Sequence, residues 1–179
     1  MSGTNKVLIT NIVLIGMMGT YKTSAGKLLA DRLEMHFMDT DAFFEFEYGM
    51  KIAECFKQYG EDAFRDLEAK IVDRVYYFEN TVIATGGGVP ERDDNMEKLK
   101  RYGLIILLTC NPKELAGRLK RDKNRPLLQG FFKARKLKQL ADRRRERYEK
   151  YADIVVDNTG LSVAETVERI QEEIIKFYK

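Results

Sequence analysis

The stretch GMMGTYKTSAGK at residues 16–27 constrains the fold of this chain more than any other. Residues 6–15, which lead into it, are rich in Val, Ile and Leu and stop at a glycine, the pattern of a strand buried on both faces of a parallel sheet. Residues 22–33 place Ala25, Leu28, Leu29 and Leu33 on one helical stripe. Between strand and helix, successive backbone N–H groups and the helix dipole can hold a phosphate. Gly16, Lys22 and Thr23 follow the spacing G-x-x-x-x-G-K-[ST], with Gly19 inside the turn, but Tyr21 stands where the second glycine belongs. In such a loop the lysine neutralises phosphate oxygens and the hydroxyl after it ligates Mg²⁺. Gly19, Thr20, Tyr21, Lys22, Thr23 and Ser24 are therefore the candidate nucleotide contacts.

The alternation continues along the chain. A short extended piece at 36–38 precedes an acidic, aromatic stretch, and residues 62–76 read as a helix with Phe64, Leu67, Ile71 and Val75 on one face. TVIATGGG (81–88) is a β-branched strand running into three glycines, and 104–108 is the most apolar strand. In NPKE, Asn111 caps, Pro112 suits a first helical turn and Glu114 completes a capping-box-like spacing. Residues 121–130 read as a polar loop, 132–151 as a long basic helix and 154–156 as a last strand. Ser162 and Glu165 open a final helix with the stripe Val163, Val167, Ile170 and Ile174. Alternating strands and helices predict one three-layer α/β domain on a mainly parallel sheet. Ligands in such sheets sit at the carboxyl ends of the strands, where all three glycine-bearing turns fall.

Charge is unevenly spread. Residues 113–150 hold fifteen basic against five acidic side chains, and the remainder sixteen against twenty-three. That segment is either a solvated helix face or the seat of an anion such as nucleic acid, membrane or a nucleotide polyphosphate. No zinc-finger, helix-turn-helix or RNP-like pattern speaks for nucleic acid. Cys55 and Cys110 make no ligand spacing and no disulfide framework, which points to a reducing compartment. No apolar run approaches the ~18 residues of a membrane span and the N-terminus has no basic leader, so a cytoplasmic location is expected. The single histidine, His36, lacks metal-ligand partners in sequence and is assigned a structural role. The aromatic run FFEFEY (43–48) reads as packing.

Other loops carry candidate chemistry with alternatives attached. In MDTDAFFE, an extended segment would turn Asp39 and Asp41 to the same side, one to hold Mg²⁺ through water and the other to orient or deprotonate a hydroxyl. Equally, Thr40 or Asp41 merely caps the next helix. In GEDAFRDLE, Arg65 either clamps a carboxylate or pairs with Glu61 or Glu68 along its own helix. The glycines 86–88 let backbone approach a ligand, or simply make a tight turn. Arg118 and Arg125 flank a polar loop suited to covering phosphates, or belong to the basic face.

The order of GMMGTYKTSAGKLLA, FMDTDAFFE, GEDAFRDLE, ATGGGVP, RDKNRPLL and RRRERYEKYAD resembles the shikimate kinases over residues 12–157. The resemblance implies a five-stranded parallel sheet of the nucleoside-monophosphate-kinase type, a substrate-binding subdomain at about 41–76 and a lid at about 120–133. It implies ATP and Mg²⁺ as cofactors and phosphorylation of the 3-hydroxyl of shikimate, by a monomer that binds neither nucleic acid nor membrane. Lys22, Asp41 and Arg125 would be catalytic, and Thr23 and Asp39 would serve the metal. Arg118 would lie near the adenine, with Arg125 on the transferred phosphoryl. Asp41, Arg65, Gly86, Gly87, Gly88 and Arg144 would hold shikimate. Arg144 is chosen because it lies four residues before Tyr148; the family's proline in that segment is absent here.

The family has glycine where this chain has Tyr21. If the backbone there needs φ > 0, tyrosine costs on the order of 1–3 kcal/mol. Three outcomes are open: a working loop with the ring turned outward, weaker ATP binding, or a degenerate homologue that binds shikimate or nucleotide without turnover. Because Lys22, Thr23, Asp41, Arg65, Arg125 and Arg144 are all retained, the expectation is an active kinase in which Tyr21 raises the KM for ATP more than it lowers turnover. Gluconate and nucleotide kinases share the fold and are the alternative acceptor classes.

Overall fold

The computed structural model describes residues 9–120 and 133–179. Five strands run in chain order as β1 (Asn11–Gly16), β2 (His36–Asp39), β3 (Thr81–Ala84), β4 (Gly103–Thr109) and β5 (Ile154–Asp157). All pair in parallel, in the order β2-β3-β1-β4-β5, with Ile12 opposite both Val82 and Leu104. β1 is central and every one of its residues is buried. Its alternation splits the core in two. Val13 and Ile15 pack with Ile83, Ile105 and Leu107 on one face, while Ile12 and Leu14 pack with Val82, Leu104 and Ile106 on the other.

Helices cover both faces. Ala25 and Leu29 of α1 (Lys22–Leu33) and Val167 and Ile170 of α7 (Val163–Phe177) close one side. α2 (Thr40–Tyr48), α3 (Ile52–Val75), α4 (Asp93–Tyr102), α5 (Pro112–Lys120) and α6 (Lys133–Tyr151) contribute to the other cluster, through Phe44, Ile71, Met96, Leu115 and Tyr148 among others. α1 starts where its stripe predicts, and Ser162 and Glu165 form the capping box at α7. Asn111 accepts from Lys113 N at 2.9 Å ahead of α5. Among the described residues no helix is long and apolar enough to cross a membrane.

Several expectations shift. Of the strand expected at 6–15, residues 6–8 lie outside the described residues and β1 begins at Asn11, whose side chain donates to Phe78 O and accepts from Thr81 N, tying the strand's start to β3. Residues Ile52–Val75 form two helices that meet at Gly60, whose φ of 83° and ψ of 177° are open to glycine, so the helix expected from residue 62 stands as the second of them and the first was not foreseen. α4 was not foreseen: DDNMEKLKRY buries only Asn95, Met96 and Leu99, so its apolar stripe is thin, although acidic residues open it and basic residues close it. The predicted loop at 121–130, Arg125 and all but the margins of the lid lie outside the described residues. His36 is exposed at the amino end of β2, the end opposite the glycine-bearing turns. Within FFEFEY, Phe44 packs on Tyr48 and Phe64 (centroids 4.8 and 5.1 Å), whereas Phe46 is exposed.

Gly103 opens β4 where a β-carbon would stand 2.6 Å from Val13 Cγ2 and 2.7 Å from Leu99 O. Gly103→Ala should therefore lower the unfolding free energy in denaturant titration by about 1–3 kcal/mol. Gly117→Ala, which meets open space, should leave it level or higher.

Candidate active site

The turn after β1 is held in shape by three left-handed or glycine-only positions: Gly16 (φ 140°), Gly19 (φ 83°) and Tyr21 (φ 67°). Lys22 and Thr23 then begin α1, whose first turn carries no acidic side chain. The buried Lys22 Nζ donates to Gly16 O at 2.8 Å and Met17 O at 2.9 Å, so the cation is folded over the turn it would share with a phosphate. Thr20 is buried below; its hydroxyl donates to Met17 O at 2.8 Å and its carbonyl accepts from Asn158 Nδ2 at 2.8 Å.

Asp39 ends β2 and caps α2. Its Oδ1 accepts from Asp41 N (2.9 Å) and Ala42 N (3.1 Å), and its Oδ2 accepts from Thr23 Oγ1 at 2.6 Å. The segment is thus not extended through Asp41, as one reading of MDTDAFFE required, and neither Thr40 nor Asp41 is the cap. A strand that stops at Asp39 frees the carboxylate to satisfy two orphan N–H groups of the next helix. Both aspartates still line the same cavity.

The opposite wall is the three-glycine turn after β3. Gly86 N donates to Thr40 Oγ1 at 2.8 Å, and Tyr148 Oη donates to Gly87 O at 2.7 Å, pinning the turn between α2 and α6. Burial pushes the Tyr148 phenol up to about 12, so it stays a donor. A β-carbon on Gly86 would lie 2.5 Å from Asp41 Oδ1, and one on Gly88 would overlap the Arg65 guanidinium. Gly87 faces Arg144 Nη1 at an ordinary 3.4 Å. Three charged side chains from α2, α3 and α6 therefore rest on bare backbone, and space rather than φ demands glycine at 86 and 88.

Arg65 serves both of its alternatives: it lines the cavity and also pairs with Glu68 (2.8 Å) and Glu61 (3.2 Å). Burial pulls its pKa down, but these carboxylates more than reverse that and leave it raised. Glu68 is itself raised, because burial outweighs the neighbouring guanidinium. Arg144, only 7% exposed, binds Glu91 through Nε at 2.6 Å and through Nη2. Glu91 and Asn158 had no signal beyond a turn residue in sequence.

Arg118 and Tyr21 close the cavity's far end. The guanidinium sits 3.8 Å over the phenol ring and donates to Glu114 Oε1 (2.6 Å), Asn158 O (2.8 Å) and Asn158 Oδ1 (3.0 Å). It thereby bolts α5 and the loop after β5 to the phosphate turn. Tyr21 does occupy the left-handed region, and its ring is turned onto Arg118 rather than into the turn; cation–π contact of about 0.5–2 kcal/mol offsets part of the strain.

Together Gly19, Tyr21, Lys22, Thr23, Ser24, Asp39, Asp41, Arg65, Gly86, Gly87, Gly88, Arg118 and Arg144 line one cavity of about 400 Å³, joined by Glu68, Phe56 and Phe64. A nest of N–H groups with a lysine lies beside the Thr23–Asp39 pair, the carboxylates of Asp41 and Glu68 and three guanidiniums. Such a set can hold a polyphosphate against a carboxylate-bearing alcohol.

Residues 18–175 match the family model described as Shikimate kinase. A shikimate kinase of Thermodesulfovibrio yellowstonii is 45% identical over 169 residues, covering 94% of this chain and 95% of that protein. The structure of the Acinetobacter baumannii shikimate kinase in complex with shikimate superposes with a TM-score of 0.88 at 32% identity, covering 95% of both chains. A gluconokinase from Sinorhizobium meliloti reaches a TM-score of 0.54 at 15% identity over 94% of each chain, a likeness of fold alone.

The bare wall makes a sharp distinction between adjacent glycines. Gly88→Ala should displace Arg65 and weaken binding of a small carboxylate ligand, read by isothermal titration, by about tenfold or more. Gly87→Ala, with its β-carbon at ordinary contact distance, should cost far less.

Proposed function

The chain belongs to the shikimate kinase family, and we propose that it transfers the γ-phosphoryl group of ATP to the 3-hydroxyl of shikimate with this cavity's residues in the following roles. The observation that carries the assignment is the three-glycine wall, where Asp41, Arg65 and Arg144 converge beside the phosphate turn. Arg65 and Arg144 grip the acceptor's carboxylate through planar N–H forks, which fixes the ring and brings a hydroxyl to Asp41. The hydroxyl oxygen forms the new bond to the γ-phosphorus as the bond to the β-bridging oxygen breaks. Asp41 orients that hydroxyl and takes its proton, which passes to solvent. Lys22 exchanges the Gly16 and Met17 carbonyls for phosphate oxygens, and Gly19, Thr20, Tyr21, Thr23 and Ser24 form the rest of the nucleotide cradle.

Mg²⁺ fits the Thr23 hydroxyl and Asp39 carboxylate, hard oxygens 2.6 Å apart beside the lysine. When bound, it neutralises charge on the phosphate oxygens. Arg118 serves the adenine side. Arg125, within a lid at about 120–133, neutralises the transferred phosphoryl, and residues 41–76 form the acceptor-binding subdomain. With both ligands anionic, the basic segment 113–150 needs no nucleic acid. The protein works as a cytoplasmic monomer away from membranes.

Coupled ADP-release assays test the reading: turnover should require shikimate and Mg²⁺ together, and MgATP with gluconate should give none. Asp41→Asn should lower kcat by about 10²–10⁴-fold with a smaller change in KM for shikimate. Loss confined to KM would remove Asp41 from the proton transfer.

A further inference from the structure

Glu91 has no part in the roles above and does not line the cavity, yet it pairs with both of the arginines assigned to the acceptor's carboxylate. It closes the 3-10 turn Val89–Glu91, and its N–H donates to Gly88 O at 2.9 Å, so the turn fixes it beside the glycine wall. One oxygen, Oε1, accepts from Arg144 Nε at 2.6 Å, contacts Arg144 Nη2, and lies 3.8 Å from Arg65 Nη2. The other oxygen pairs with the exposed Arg143 Nη2 at 3.2 Å. Among the described residues Glu91 is the acidic side chain that ion-pairs with both arginines of the carboxylate grip. Glu68 differs: it is buried and donated to by Arg65. Glu91 is 26% exposed, and in Arg143 it has a second cation to turn to. A protein carboxylate thus already spans the two guanidiniums assigned to an incoming carboxylate.

Two like-charged forks facing one cavity repel, and an anion between them relieves that repulsion. The same anion lowers the positive potential that draws an acceptor in, and it engages N–H donors on the edge of Arg144 suited to bidentate recognition. We propose that Glu91 is an internal counter-carboxylate that weakens the Arg65–Arg144 grip: it sets the affinity for the acceptor and lets the phosphorylated product, which keeps that carboxylate, leave. This rests on the acceptor reading given above.

Glu91→Gln keeps the side chain's shape and removes its charge. The KM for shikimate should fall about three- to tenfold, as for loss of one partly exposed opposing charge, while the KM for MgATP stays level and kcat does not rise. By titration, shikimate should bind the variant more tightly, and its uncharged carboxamide analogue should bind both proteins alike. A purely structural brace would not separate these two ligands. An unchanged or raised KM for shikimate, or equal tightening of the carboxamide, overturns the proposal. If the Gln variant does not fold, Glu91→Asp, which draws the carboxylate back by one methylene, should move the KM in the same direction, and an unmoved or raised KM again overturns it. A native chain inactive on shikimate would remove the acceptor assignment itself, whereas native turnover with an unmoved KM removes only the role of Glu91.

Discussion

Asp41, Arg65 and Arg144 come from three different helices and meet because residues 86–88 present no β-carbons. The rest of the cavity is built around that bare backbone. Thr40 holds its amide from α2, Tyr148 holds its carbonyl from α6, and β3 delivers it beside the phosphate turn by pairing with β1. Charged side chains brought this close to a buried edge need partners, and Glu61, Glu68 and Glu91 supply them. The cost of crowding charge is therefore met locally, and the two guanidiniums stay aimed at the cavity.

The phosphate turn shows a different balance. A tyrosine sits in a conformation that favours glycine, and the loop keeps its shape because the ring has found Arg118 while Asn158 ties the loop after β5 to Thr20. Strain at a functional turn persists where neighbours over-determine it. Lys22 is folded onto the turn's own carbonyls and Thr23 bonds Asp39, so the side chains the proposed roles require all stand at the loop that carries Tyr21. The stacked phenol does cover one face of Arg118, so a base approaching that guanidinium must compete with it.

The apolar strands were legible because burial on both faces leaves a sequence no choice, so β4 and the buried run of β1 read directly, and of the α1 stripe Ala25 and Leu29 are buried while Leu33 is exposed. The Ser162 capping box read equally well because it is local. α4 did not, since a helix anchored by Met96 and Leu99 on an otherwise charged ladder resembles a solvated loop. At Asp39 a period-2 argument failed because the strand ended at Asp39 and the helix began at Thr40, whereas the argument required extended backbone through Asp41. Arg65 showed that pairing along a helix and facing a cavity are compatible. Glu91 and Asn158 were invisible because their partners lie 53 and 138 residues away, and nothing local marks such meetings.

The proposed nucleotide cradle requires that the left-handed corner at residue 21 work with its phenol parked on Arg118. Isothermal titration of MgATP into the native chain and into Tyr21→Gly tests this most directly. The native chain should bind MgATP, and the glycine variant, relieved of strain and with that face of Arg118 uncovered, should bind it several-fold more tightly. A native chain that does not bind MgATP, or a glycine variant that binds it more weakly, would contradict that requirement.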